Sequence, residues 1–260
     1  MKNFLKNYWK TLLFFAVAGL VGGFCTGLFL LDSYPAQIKQ QLLGELDAAG
    51  LGAFPVDLLL GVVTAFQAAG YGLVLGAAGI FLGKKVGLWR DERTLEKKKL
   101  VVTAIAAVVG GALLILPDLL VFGKYSQTVM DSYAAKPTAV YILGCVVYGG
   151  VIEEVMLRLF MMSLAAFLLH KLFGKGQKTP STAVLVVANV ISALLFAAGH
   201  LPATVILLGS TPLIIFRCFL LNGAFGMLFG WLYRKCGLRY AMLAHAGCHV
   251  VSKLIWIFFI

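Results

Sequence analysis

An all-α, polytopic membrane bundle of about seven or eight transmembrane helices is predicted for this chain, and three observations carry that reading. Of its 260 residues 61% are apolar and only 13% charged, against roughly a quarter charged in soluble domains. Mean hydropathy is +0.94. Apolar runs of about 20 residues, the length that crosses a bilayer, recur along the whole sequence. Residues 1–260 therefore read as a single membrane domain whose solvent is the lipid bilayer.

The first run, 11–31, follows Lys2, Lys6 and Lys10. It exceeds a signal-peptide core, and no small-x-small cleavage site follows it, so it reads as a transmembrane helix. Further spans are predicted at 56–83, 100–122, 138–170, 181–210, 212–234 and 239–259. Pro202 is expected to interrupt the fifth of these just after His200. Small-residue ladders (Gly19/Gly23/Gly27, Gly72/Gly76, Gly79/Gly83 and Gly226/Gly230) mark faces where helices approach closely. They are expected to pack within one bundle rather than between copies.

A net charge of +11 would suggest nucleic acid in a soluble protein, but its distribution excludes that partner here. Sixteen of the 22 Lys and Arg residues fall before the first span and in every second loop after it. That asymmetry is the signature of membrane topology and predicts a cytoplasmic N-terminus. The compactness of the chain points to a bacterial plasma membrane. The five cysteines form no CxxC pair, so neither a disulfide framework nor a zinc knuckle is indicated.

Ionisable residues inside spans are costly and each needs a reason. Glu154 and Arg158 are an i,i+4 pair that can neutralise each other. Glu153, about 100° away around an α-helix, is left over. On the fifth span Asn189, Ser192, Phe196 and His200 share one face, and His245 and His249 form an i,i+4 pair on the last. The turn around Gln177 makes spans four and five an antiparallel hairpin. Glu153 lies 24 residues before its centre and His200 23 after it, so the two meet at one level. His245 lies about 9 Å and His249 about 15 Å inside the basic end of the last span. Glu153, His200 and His245 are therefore expected to converge in a cavity opening to the cytoplasmic side. Clustering in one third of the membrane, with no internal repeat, argues against a transporter.

These residues carry a family resemblance. Glu153-Glu154-x-x-x-Arg158, Phe196-x-x-x-His200, and the stretch from Gly226 to Gly237 followed by Ala241 to His245, are similar to the three motifs of the CPBP (ABI) family. That family includes CAAX prenyl endopeptidases and bacteriocin-processing or self-immunity proteins. The resemblance covers the motif region 138–255; residues 1–137 are N-terminal helices without a recognised motif. It implies an intramembrane endopeptidase cutting near the cytoplasmic face, with Glu153 as general base and His200 as its partner. His245 and His249 would be the oxyanion donors, and Glu154, Arg158, Phe196 and Asn189 would support them. His249 departs from the family, which places Asn or Asp there. The departure keeps two alternatives open: a catalytically silent binding or immunity protein, and a zinc site of His200, His245, His249 and Glu153. The expected partner is a membrane-associated peptide or protein; the sequence does not set the oligomeric state.

Overall fold

The structure is a computed structural model that describes residues 2–91, 94–174 and 176–260. Among these it contains nine helices and no strand. They are α1 (Lys2–Ser33), α2 (Ala36–Ala48), α3 (Val56–Lys85), α4 (Lys97–Tyr125), α5 (Gln127–Asp131), α6 (Ala139–Phe173), α7 (Thr182–Leu208), α8 (Pro212–Lys235) and α9 (Leu238–Phe259). All but α2 and α5 are long and apolar enough to cross a membrane. The chain is thus an all-helical, multi-pass membrane protein with the seven expected spans. Helix α2, within the expected loop 32–55, buries none of its residues.

Local chemistry sets where the site-bearing helices begin. Thr138, Ser181 and Thr211 each accept a hydrogen bond from the backbone N–H three residues on, and so cap α6, α7 and α8. Such caps contribute about 1 kcal/mol each. Pro212, in the first turn of α8, removes a donor that would have had no partner there.

The glycine ladders pack inside the bundle, as expected. A methyl group on Gly19 would stand 2.6 Å from the Ala68 backbone of α3, and one on Gly72 2.7 Å from the Phe15 carbonyl of α1. Gly226 has the same relation to Ala193 of α7, at 2.7 Å. These absences of side chain let α1 lie on α3 and α8 on α7. Helix α6 then occupies the middle, touching α1, α3, α7, α8 and α9.

Two local expectations are corrected. The fifth span is not interrupted after His200: α7 runs through Pro202 to Leu208. The proline deprives only the Ala198 carbonyl of its usual i+4 donor, a loss that membrane helices absorb locally. The fourth span is not a plain α-helix either. Over Cys145–Met162 it adopts the wider i→i+5 winding of a π-helix. A uniform α-helix from Thr138 to Phe173 would be about 52 Å long. More residues per turn shorten it towards the thickness of the bilayer core.

A second π turn, Asp118–Phe122, follows Pro117 in α4. It delivers the fully buried Asp118 carboxylate to Arg217 of α8, which grips both oxygens. The Tyr133 hydroxyl donates to the same carboxylate at 2.7 Å. Burial, and then the negative charge of Asp118, hold the Tyr133 phenol above its usual pKa, so it remains a donor. Trp256 Nε1 donates to the Tyr133 carbonyl at 3.1 Å. One buried pair thereby ties α4, α8, α9 and the 126–138 connection together at the end of the bundle poor in Lys and Arg.

Candidate active site

Helices α6, α7 and α9 bring Glu153, His200 and His245 together. The two Glu153 oxygens lie 3.9 Å from His200 Nε2 and 3.9 Å from His245 Nε2 respectively. Both separations exceed a direct hydrogen bond and match a gap bridged by one water. The hairpin register read from the sequence is therefore correct for this pair of helices.

Partners behind each ring fix which nitrogen faces the carboxylate. His200 Nδ1 lies 2.8 Å from the Phe196 carbonyl, which can only accept, so Nδ1 carries the proton. His245 Nδ1 lies 2.9 Å from Glu154 Oε1 and donates to it. In the neutral rings, Nε2 of both histidines then turns a lone pair towards Glu153. Two lone pairs and a carboxylate facing one another leave a place for a proton donor, and water is the simplest.

Glu154 does more than the sequence suggested. The same Oε1 that accepts from His245 lies 3.2 Å from Arg158 Nη1. That contact is too misaligned to count as a hydrogen bond, and among the described residues the guanidinium has no hydrogen-bond partner. Its charge is met by aromatic faces instead, with Phe196 at 4.4 Å and Phe229 at 5.4 Å from ring centroid to guanidinium carbon. Phe229 also stacks on His245 (4.4 Å, 19° between planes), and His245 stacks on His249 (5.0 Å, 28°). Phe196 meets His200 edge-on at 4.6 Å. The supporting residues Glu154, Arg158 and Phe196 thus hold the imidazoles from behind.

Asn189 lies elsewhere. Its Nδ2 donates to the Met227 carbonyl of α8 at 3.0 Å, and Ser192 donates to the Leu157 carbonyl of α6 at 2.7 Å. Both fasten α7 to its neighbours, Ser192 about two turns and Asn189 about three turns before His200. His249 lines the cavity beside His245, with Gly149 opposite: a methyl group there would stand 2.8 Å from His249 Nε2. His249 Nδ1 is buried with no hydrogen-bond partner among the described residues.

The cavity encloses about 340 Å³ and is lined by Glu153, His200, His245 and His249 together with Tyr141, Cys145, Tyr148, Asn222 and Lys253. Single polar residues at unremarkable spacing gave no signal for the last five. On α6 every lining residue lies between Tyr141 and Glu153, and on α9 every one lies from His245 onward. The cavity therefore extends towards the end of the bundle with few cations, opposite to the expected opening at the basic end. On the basic side of the site Val155, Leu159, Met162, Tyr233 and Tyr240 fill the core. A separate cavity at the basic end, lined in part by Lys6, Trp89 and Arg239, contains none of the site residues.

Zinc at His200, His245, His249 and Glu153 is the alternative that the sequence leaves open beside metal-free chemistry. Among the described residues no three His, Cys, Asp or Glu side chains stand close enough together to hold a metal ion.

Residues 135–251 match the family model described as type II CAAX prenyl endopeptidase Rce1-like. No curated protein and no solved structure gave a match. The matched segment contains all three motifs on which the resemblance rested.

Proposed function

We propose, for a membrane protein whose residues 135–251 match the family model of Rce1-like type II CAAX prenyl endopeptidases, that it hydrolyses a peptide bond inside the membrane with a water activated by Glu153. The observation that carries this reading is the carboxylate of Glu153 held between two imidazole Nε2 atoms, each one water away. A water in that gap donates one proton to Glu153 and is oriented by His200. Its oxygen bonds to the scissile carbonyl carbon. The carbonyl oxygen becomes an oxyanion, to which a ring N–H of His249 donates, while His245, anchored through Nδ1 on Glu154, keeps Nε2 turned towards the water. When the C–N bond breaks, the proton held by Glu153 passes to the leaving amine. Site exposure is graded: His200 is 36% exposed, Glu153 20% and His245 5%. A substrate chain therefore approaches from the side of His200.

The substrate in this reading is a membrane-borne peptide or protein, and the setting is a bacterial plasma membrane with the N-terminus in the cytoplasm. Purified protein in lipid nanodiscs, challenged with a library of membrane peptides and read by mass spectrometry, should give discrete cleavage products. The yield should be the same with and without a chelator. A folded protein that cleaves nothing would instead support a silent binding or immunity protein, and chelator-sensitive cleavage would reinstate zinc.

His249 supplies a second test. With the role of an oxyanion donor, His249→Asn keeps most of the activity, because an amide N–H reaches a similar point. His249→Ala loses about 10²–10³-fold in kcat. Equal loss in both variants would remove His249 from that role.

A further inference from the structure

The cavity at the basic end is the larger of the two, about 1120 Å³, and lies between α1 and α9, both of which rest on α6. Its two walls carry the same order of side chains. On α1 Lys6, Lys10 and Phe14 form an i, i+4, i+8 row, and on α9 Arg239, Leu243 and Ala246 form an i, i+4, i+7 row. Cations therefore line the mouth, and about 10 Å deeper along α9 the lining is apolar, with Val151 of α6 at its floor. Phe14 and Leu243 are 54% and 45% exposed, so the apolar part opens sideways at the level of the hydrocarbon. Among the described residues no carboxylate pairs with Lys6 or Lys10. Asp91 also lines the mouth, but its oxygens already accept from Trp89 Nε1 at 2.7 Å and from the Tyr8 hydroxyl at 3.2 Å.

That gradient decides what fits. A soluble anion would engage the cations and leave the apolar floor empty. A neutral hydrocarbon would fill the floor and leave two ammonium groups without a counter-charge. A molecule with a phosphate at one end and acyl chains at the other satisfies both, with each end at its own depth in the bilayer. We propose that the groove between α1 and α9 binds one anionic phospholipid, its phosphate on Lys6, Lys10 and Arg239 and an acyl chain laid over Val151 and Ala246. The floor is closed towards Glu153, because α9 lies close on α6 there: a methyl group on Gly150 would stand 2.7 Å from Ala246 Cβ. The lipid is thus a resident of the fold, held apart from the catalytic gap, and its binding does not depend on the hydrolytic reading.

The test titrates the delipidated full-length chain in detergent with phosphatidylglycerol or phosphatidylcholine of identical acyl chains, and counts bound lipid by native mass spectrometry. Wild type should retain a single phosphatidylglycerol and favour it by about 30-fold, the worth of two basic side chains beside a membrane. Lys6→Gln with Lys10→Gln should remove that preference, and Lys6→Arg with Lys10→Arg should keep it. Lys97→Gln with Lys98→Gln, exposed lysines at the same end but outside the groove, should leave it unchanged. Glycerol phosphate, the headgroup without chains, should not displace the lipid. Equal retention of the two lipids overturns the proposal, and so does an equal loss in the Lys97 and Lys98 variant, which would show a general attraction to the basic surface. Displacement by glycerol phosphate would make the groove a phosphate site, and displacement by a membrane peptide at lower concentration would make it a polypeptide groove; either result overturns the lipid assignment.

Discussion

Glu153→Gln should lower peptide turnover by about 10²–10⁴-fold, the contribution of a positioned general base, and leave the melting temperature unchanged. The carboxylate is partly exposed, and among the described residues it makes no hydrogen bond; its approaches to the two imidazoles are 3.9 Å each. An amide of the same shape therefore strands nothing. It can still hold the water, but it cannot take its proton. Peptide cleavage measured alongside thermal unfolding in the same nanodiscs separates the two effects. Activity within a few-fold of wild type would exclude Glu153 as the base.

Glu154→Gln should behave in the opposite way, with stability falling first. Glu154 and Arg158 are both fully buried, and removing one charge from such a pair costs about 3–5 kcal/mol because the other is left uncompensated. The amide also weakens the hold on His245 Nδ1, so turnover should fall in whatever protein remains folded. Combining Glu154→Gln with Arg158→Met removes the stranded guanidinium and should recover most of the melting temperature without recovering activity. A single Glu154→Gln variant as stable as wild type would show that the aromatic faces of Phe196 and Phe229 suffice to hold Arg158. With the expected loss of stability in Glu154→Gln, the neighbouring glutamates carry separable duties, chemistry for Glu153 and support for Glu154.

Much of this arrangement was legible in the sequence because bilayer physics is written in composition. The seven spans follow from length and hydropathy, and the Glu153–His200 meeting follows from counting residues around a short turn. The winding of α6 was not legible, since i→i+5 hydrogen bonding over Cys145–Met162 leaves no compositional mark. Arg158 still lies near Glu154 because four residues make close to one turn in either winding. The second partner of Glu154 was hidden for a different reason: His245 is 91 residues away, and nothing local reports so distant a contact. Asp118 and Arg217, 99 residues apart, were hidden in the same way. Depth arithmetic placed the level of the site but not the side on which space remains. That depends on the bulk of Leu159, Met162 and Tyr233 against the small residues Gly144 and Gly149.

The position of the cavity bears on the direction from which a polypeptide can enter. The room beside Glu153 extends away from the basic loops, towards the end of the bundle with few cations. A chain seated there would have one end at the membrane face opposite those loops.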